Sequence, residues 1–253
     1  MRHFIVPDTQ VKPEDNTEHL EWAANYAASK KPEVIIFMGD HWDMPSLCTY
    51  DYGTKGYEGR AYKKDIQAGN EAMDVFMAPI YKEQAKQRRL KEKMWRPRMV
   101  FLMGNHENRI DRAVNADRKL EGLLTQEDFN LVEHGFEIYP FLEVVTIDGV
   151  AYSHYFTSGV MGRPCTNARL MLNKKHMSCV MGHVQDRDIA FAKRADGTRM
   201  TGIFTGVFYS EWQDYLTPQT NDSWAGCWMF NEVVDGGFDE LPLSLDFLRR
   251  NYS

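Results

Sequence analysis

Short runs of apolar residues alternate with amphipathic stretches along the first half of the chain. Three of the runs predict buried strands, at residues 2–6, 33–40 and 98–107, because each is rich in β-branched or aromatic residues and is followed by turn residues. Residues 17–30 have apolar side chains at helical spacing and predict a helix with Asn16 as its cap. Strands that alternate with helices predict a parallel sheet, in which ligands bind at the carboxyl ends of the strands.

The segment between the second and third predicted strands, about residues 44–97, is expected to be an insertion in a single domain that spans residues 1–253. Its first part is rich in Gly and Tyr and predicts a loop. Its second part has a helical pattern, which Pro79 is expected to interrupt. The second half of the chain is strand-rich in pattern, with hairpins predicted at 141–154 and 189–207.

Composition narrows the class of protein. An apolar content of 43% is enough for a buried core. The net charge of −6 excludes a polycation that attracts nucleic acid through its overall charge, so such a contact needs a local basic patch. The four cysteines form no CxxC pair, which is typical of a reducing compartment. No apolar run approaches the roughly 18 residues needed to cross a bilayer, so we expect a cytoplasmic protein without a membrane partner.

Polar clusters follow five of the predicted strands. Each cluster comes directly after an apolar run: FIV, VIIFM, MVFLM, VAYS or SCVM. Converging carboxylates, amides and imidazoles are the donors that a divalent metal ion needs, and glycines let the backbone approach such an ion closely. The clusters are Asp8-Thr9-Gln10, Gly39-Asp40-His41-Trp42-Asp43, Gly104-Asn105-His106-Glu107, Ser153-His154 and Gly182-His183-Val184-Gln185.

In their order along the chain, these clusters resemble the motifs of the calcineurin-like metallophosphoesterases, which are DxH, GDxxD, GNH[DE], a lone His and GHxH. The resemblance covers residues 8–185, and GDxxD and GNHE are its most specific parts. It implies an α/β fold in which a β-sandwich is flanked by helices in four layers, α/β/β/α, with a helical insertion between strands 2 and 3. It also implies a hydrolase that cleaves phosphoester bonds.

The resemblance further implies two divalent metal ions bridged by one aspartate. The residues that carry over are Asp40, Asn105, His154 and His183 for the second ion, and Asp8, Gln10, Asp40 and Gln185 for the first. The two glutamines stand where the family has histidine. An amide oxygen is a neutral hard donor, so this exchange should weaken Zn²⁺ or Fe binding and favour Mn²⁺, Mg²⁺ or Ca²⁺. We expect Mn²⁺ foremost, with the first site weak or even empty.

Catalytic roles carry over to two residues. In the family, the ions activate a water so that hydroxide attacks phosphorus, and a histidine protonates the leaving oxygen. The matching residues are His106 as the proton donor and Asp43 as the group that orients it. Arg109, Arg112 and His41 are candidates for contact with substrate, although the two arginines could equally belong to a solvated helix face.

Substrate class depends on weaker features. Residues 82–98 contain eight basic and two acidic side chains, which could attract nucleic acid beside the site or form a solvated helix face. The tyrosines at the start of the insertion could stack on bases or pack onto the domain; they are Tyr50, Tyr52, Tyr57 and Tyr62.

These features favour a phosphodiester substrate, in a nucleotide or a nucleic acid, and hence a phosphodiesterase or nuclease. One alternative is a phosphomonoesterase or protein phosphatase. An alternative of another class is a catalytically weakened scaffold or binding protein on the same fold. The small size and the Gln-for-His exchange resemble stand-alone bacterial and phage members of the family, which implies the cytoplasm of a bacterium or of an infected host. The sequence predicts no particular oligomeric state.

Overall fold

Two β-sheets packed face to face form the centre of the protein. The structure is a computed structural model that describes residues 1–49, 53, 57–209 and 223–253. The strands are β1 (His3–Val6), β2 (Val34–Phe37), β3 (Arg98–Leu102), β4 (Glu137–Tyr139), β5 (Val145–Ile147), β6 (Val150–Ser153), β7 (Cys179–Met181), β8 (Arg187–Lys193), β9 (Arg199–Thr205), β10 (Gly226–Val234) and β11 (Gly237–Ser244). The helices are α1 (Glu18–Lys30), α2 (Tyr62–Leu90), α3 (Arg109–Ala116), α4 (Ala168–Lys175) and α5 (Leu245–Tyr252).

The first sheet has the strand order β11-β10-β1-β2-β3-β4, and the second has the order β5-β6-β7-β9-β8. Strands β1, β2, β3 and β4 are parallel to one another, as are β6, β7 and β9 in the second sheet, whereas β10 pairs antiparallel with β1. The two predicted hairpins are confirmed as the antiparallel pairs β5–β6 and β8–β9. A parallel strand in the middle of a sheet is covered on both faces, which explains why β1 and β2 are continuous apolar runs.

Alternate side chains of the central strands enter different cores. Phe4 and Phe37 pack among residues of α1 and α2, whereas Ile5 and Ile36 pack against the second sheet. The outer face of the second sheet is covered by α4. The layers therefore run helix, sheet, sheet, helix, which confirms the four-layer α/β/β/α fold. Every helix in the described ranges is too short or too polar to cross a lipid bilayer.

Helix α2 is continuous through Pro79, so the expected interruption there is wrong. A proline inside a helix costs about 3 kcal/mol, because it removes one backbone hydrogen bond. Helix α2 buries Met73, Phe76 and Ile80 in the core, and each large apolar side chain gains roughly 1.5–3 kcal/mol on burial. The burial of these side chains therefore stabilises α2 by more than Pro79 destabilises it. That residues 44–97 are an insertion in a single domain stays a prediction.

Candidate metal centre

The polar clusters that follow β1, β2, β3, β6 and β7 meet at one edge of the sandwich. The carboxyl ends of the two sheets are joined there by a bridge between Asp8 and Val207 and by the hydrogen bond from Phe208 N to Asp8 O, at 2.8 Å. His154, which follows β6, donates from Nδ1 to the carbonyl oxygen of Met38, at 2.7 Å. The loops of both sheets therefore face the same small volume.

Four of the predicted ligands lie together in that volume. One donor atom each from Asp40, His154 and His183 lies within 4.8 Å of the others, so these three can hold a metal ion. The Asn105 Oδ1 atom lies 2.7 Å from His183 Nδ1 and 3.0 Å from His154 Nε2. Since His154 Nδ1 donates to Met38, His154 Nε2 is the ring atom that faces Asp40, 3.4 Å from its Oδ2.

Asp8 adds a buried carboxylate to this edge. Its Oδ2 accepts from the backbone N–H of His183 at 3.0 Å, whereas its Oδ1 has no hydrogen-bond partner in the described part of the chain. Burial raises the pKa of Asp8 well above its usual value. A buried oxygen without a donor is costly unless a cation is present, so this carboxylate fits a metal site. Gly182 leaves space for it, because a Cβ at that position would collide with Asp8 Oδ1.

The charge balance also favours a cation. Burial by itself would raise the pKa of Asp40, but His106 and His154 hold that pKa well below its usual value. Burial would lower the pKa of His154, but the carboxylate of Asp40 outweighs it and raises the pKa to about 10. The carboxylates at this edge of the sandwich therefore attract positive charge strongly. A divalent ion would supply that charge, and imidazole and carboxylate groups are suitable ligands for it.

The two glutamines lie at the same edge. Gln10 is buried with a backbone φ of 42°, and its N–H donates to the carbonyl oxygen of Asp40 at 2.8 Å. Gln185 is half-buried, two residues after His183. Ligation of a first metal ion by these two side chains stays a prediction.

His106 is held by Asp43. The His106 Nδ1 atom lies 2.6 Å from Asp43 Oδ1 and 3.0 Å from the Asp43 carbonyl oxygen, so Nδ1–H is the donor. The other ring nitrogen, Nε2, lies 3.7 Å from Asp40 Oδ2. Burial would lower the pKa of His106, but the two carboxylates raise it above its usual value. In this structure Nε2 accepts from Arg109 Nη2 at 3.3 Å, and it can take up a proton, next to the candidate metal centre, once that contact is displaced.

Arg109 lies against His106, whereas Arg112 lies on the exposed side of α3. Arg109 Nη1 donates to the carbonyl oxygens of Asp43 and Met44, at 2.6 and 3.2 Å, and its Nη2 lies 3.3 Å from His106 Nε2. One of the two terminal nitrogens of Arg109, Nη1, is therefore hydrogen-bonded to the loop that holds His106. Contact of either arginine with substrate stays a prediction.

That His41 contacts substrate stays a prediction, and its contacts within the protein give the side chain a structural role. His41 is fully buried, with Nδ1 2.7 Å from Thr9 Oγ1 and Nε2 3.0 Å from the carbonyl oxygen of Gly69 in α2. Burial lowers the pKa of His41 to about 4, so the ring is neutral. Both ring nitrogens are engaged inside the protein, and the side chain fastens the Asp40 loop to α2.

Glu107 has a role that sequence reasoning missed. Its carboxylate is fully buried and accepts four backbone N–H groups: those of Asp40 at 2.9 Å, His41 at 2.6 Å, Trp42 at 3.0 Å and Gly104 at 2.8 Å. Asp40 has a φ of 50°, which a non-glycine residue adopts rarely. Glu107 thus holds the strained loop that carries Asp40. The signal in the sequence was a carboxylate directly after Asn105-His106 in a segment that is otherwise buried.

The basic segment 82–98 does not lie beside the site. Lys31 Nζ pairs with Glu83 Oε1 at 2.7 Å, and Trp95 Nε1 donates to the carbonyl oxygen of Pro32 at 2.7 Å. Lys31 and Pro32 precede β2, whereas the site follows β2. The basic segment therefore lies near the amino ends of the parallel strands, and the site lies at their carboxyl ends. An electrostatic attraction of substrate directly beside the site is therefore ruled out for this segment.

The tyrosines of the insertion pack onto the domain where they are described. Tyr57 donates its hydroxyl to the Ser46 carbonyl oxygen at 2.9 Å, and Tyr62 donates to Asp128 Oδ2 at 2.6 Å. Tyr50 and Tyr52 lie outside the described residues.

Comparison with known proteins adds little. No protein-family model matches the chain, and a search of curated proteins finds no match. Among solved structures, the chain is similar to YfcE, a phosphoesterase from E. coli, with 14% sequence identity and a TM-score of 0.38 over 95% of this chain and 98% of that chain. A similarity at that score carries no argument about function, so the functional case depends on the residues themselves.

Proposed function

We propose that this protein is a metal-dependent phosphoesterase that cleaves a phosphodiester. The observation that carries the proposal is the convergence of Asp40, His154 and His183, whose donor atoms lie within 4.8 Å of one another, beside a buried Asp8 oxygen that lacks a hydrogen-bond partner. A site of this kind is expensive to bury unless a cation occupies it.

The residues that would hold divalent ions are Asp8, Gln10, Asp40, Asn105, His154, His183 and Gln185. Ions bound there would supply Lewis-acid chemistry, by activating water as a nucleophile and by offsetting negative charge on the phosphoryl group.

The protein's own groups account for the fate of the leaving oxygen. Asp43 fixes the ring of His106 through Nδ1, which leaves His106 Nε2 to carry a proton at the edge of the site. That proton would pass from Nε2 to the oxygen that leaves phosphorus, because an alkoxide is a poor leaving group unless it is protonated. Arg109 Nη2, at 3.3 Å from the same nitrogen, would hold a phosphoryl oxygen when substrate displaces that contact.

Charge supports a diester over a monoester. A phosphomonoester carries a charge of about −1.5 to −2 near pH 7, whereas a diester carries about −1. The hydrogen bonds of the described residues place one arginine, Arg109, against His106, and Arg109 is partly committed to two carbonyl oxygens. Divalent ions would attract either ester, and beyond them this one shared arginine is a small complement for a doubly charged phosphoryl group, so we propose the singly charged diester.

We expect Mn²⁺ to support hydrolysis of bis-p-nitrophenyl phosphate more strongly than hydrolysis of p-nitrophenyl phosphate. Initial rates of p-nitrophenol release, measured with Mn²⁺ and then with excess EDTA, test this. The same panel extended to single-stranded DNA, duplex DNA and cyclic nucleotides would narrow the substrate class. Asp40→Asn is the matched variant, since it keeps the shape of the side chain but removes its charge.

Other outcomes would point to the alternatives. Faster hydrolysis of the monoester would favour a phosphomonoesterase or a protein phosphatase. Equal rates with Mn²⁺ and EDTA, or no turnover of either ester, would contradict the proposal and favour a scaffold or binding protein on this fold.

Metal content separates the two candidate sites. We expect two Mn²⁺ ions per chain at saturation and one in the Gln10→Ala, Gln185→Ala double variant, because amide oxygens form the weaker site. Elemental analysis after equilibrium dialysis measures this, with His154→Ala and His183→Ala as the variants that should empty the nitrogen-containing site. One ion in the unmodified protein, unchanged in the double variant, would show that the glutamines are not ligands.

A further inference from the structure

A cluster of exposed cations lies near the amino ends of the parallel strands of the first sheet, whereas the candidate metal centre lies at their carboxyl ends. The cluster spans the last turns of α2 and the loop that leads into β3, and all six side chains are exposed. We call this cluster the basic face; its members are Lys82, Arg88, Arg89, Lys91, Lys93 and Arg96.

The basic face is not neutralised by the protein. Of the neighbouring acids, Glu83 pairs with Lys31 and Lys86, and Glu137 pairs with Arg98. Glu92, which is exposed between Lys91 and Lys93, offsets one of the six positive charges. None of the six cations has an ion pair among the residues that the structure describes. Because the whole chain carries a net charge of −6, this concentration of positive charge is local and does not reflect a generally basic protein.

Stabilisation of the helix explains only part of the cluster. Cations in the last turn of a helix interact favourably with the partial negative charge of its carbonyl groups, by about 0.3–1 kcal/mol each. Arg88 and Arg89 lie in the last turn of α2. Lys93 and Arg96 lie beyond the helix, where that interaction falls away, and so need another reason.

A cleft of about 310 Å³ opens within the basic face. Arg88 and Arg96 line it together with Tyr81 and His134. Tyr81 is 43% exposed, and its hydroxyl lies 2.8 Å from His134 Nδ1, which holds the ring in place. A partly exposed aromatic ring in a cleft that two arginines also line can accept a stacked base together with its phosphates.

The basic face is separate from the candidate metal centre. His41, next to Asp40, contacts Gly69 of α2, and Arg88 lies 19 residues further along the same helix. At 1.5 Å per residue, the two ends are about 28 Å apart. A ligand of the basic face therefore does not need to touch the metal centre.

We infer that the basic face binds single-stranded nucleic acid, independently of the proposed hydrolysis. Unpaired cations supply the phosphate contacts, and Tyr81 supplies a stacking platform that duplex DNA, whose bases are already stacked, cannot use. An anionic membrane would need several apolar side chains among the cations; in the described part of this face, Leu90 is the one large apolar side chain more than half exposed, at 51%. The inference does not rest on the phosphoesterase proposal.

Fluorescence anisotropy with a labelled 20-nucleotide single-stranded DNA tests the inference. We expect the variant Arg88→Ala, Arg89→Ala, Lys91→Ala, Arg96→Ala to bind roughly tenfold or more weakly at low salt. Each lost phosphate contact makes the negative slope of log K against log salt shallower by about 0.7, so the magnitude of the slope should fall by about 3 in this variant. The control variant Lys174→Ala, Lys193→Ala, Arg194→Ala, Arg199→Ala removes four exposed cations from α4 and the β8–β9 hairpin and should bind as the unmodified protein does.

Tyr81 provides a test of stacking. Tyr81→Phe keeps the ring and should bind single-stranded DNA normally, whereas Tyr81→Ala should weaken binding about tenfold while leaving the affinity for a duplex unchanged. Far-UV circular dichroism checks that each variant is folded.

Binding is measured with and without EDTA. DNA binding that persists in EDTA would not depend on a metal ion and would support binding at the basic face. This outcome is independent of the phosphoesterase proposal. Loss of binding in EDTA, or equal losses in the two quadruple variants, would overturn the inference. So would attachment to anionic lipid vesicles without any affinity for DNA.

Discussion

His106→Ala is expected to lower turnover of a diester with a poor leaving group by about 10²–10⁴-fold, the usual contribution of a positioned proton donor. The reason is that His106 Nε2 is the ring nitrogen that Asp43 leaves facing the candidate metal centre. Steady-state kinetics on a dinucleotide and on bis-p-nitrophenyl phosphate would measure the loss. It should be smaller for the p-nitrophenyl ester, because nitrophenolate leaves without a proton.

Two controls accompany this variant. Metal content should be unchanged, since His106 is not among the expected ligands. His176→Asn should retain full activity: His176 is an exposed residue with a φ of 57°, a conformation that asparagine also tolerates. A His106→Ala protein that keeps its full rate on the dinucleotide would show that His106 is not the proton donor.

Glu107→Ala is expected to lower the free energy of unfolding by about 4 kcal/mol or more. A hydrogen bond to a charged group contributes about 1.5–3 kcal/mol, and this substitution leaves four buried N–H groups without an acceptor. Urea denaturation would measure the change. The same variant should lose affinity for divalent ions, because Asp40 lies in the loop that Glu107 holds.

If Glu107→Ala does not fold, Glu107→Gln provides the measurement. The amide offers one oxygen in place of two, so we expect about half of the destabilisation and a weaker response of the melting temperature to added Mn²⁺. Glu143→Gln, at an exposed position, is the matched control and should leave both quantities unchanged. A stable Glu107→Gln protein with normal metal affinity would show that Glu107 does not support the Asp40 loop.

The elements that sequence reasoning found are those whose signals are local. Strands β1, β2 and β3 were predicted because a fully buried strand is a continuous apolar run, and each of the three runs straight into polar residues. Strands β4 and β11 were missed because they form the edges of the first sheet, where little burial is required. Strand β11 even contains Pro242 and two acidic residues, which an edge strand tolerates.

Two features of the site, the burial of His41 and the role of Glu107, could not be read from the sequence, because position in a motif does not reveal where a side chain points. Asp40 and His41 are neighbours, yet the first faces the candidate metal centre and the second is buried against α2. Glu107 follows His106, yet it turns inward to the backbone of the Asp40 loop. The backbone at Asp40, with its φ of 50°, decides these directions, and that conformation is not visible in a residue pattern.

The choice between the two interpretations of the basic segment depends on Pro79. A helix broken at Pro79 could have folded back toward the site. The continuous α2 of 29 residues instead extends about 43 Å and carries its last turns to the far edge of the sheet. The burial of several large side chains stabilises α2 by more than the backbone hydrogen bond lost at Pro79, and the continuous helix determines where the eight cations lie.

The candidate ligands come from both layers of the sandwich: Asp8, Asp40 and Asn105 follow strands of the first sheet, and His154 and His183 follow strands of the second. A cation bonded to both would cross-link the two sheets. Its release would then require the sheets to separate slightly, so the rate of ion exchange would report how often the two layers separate.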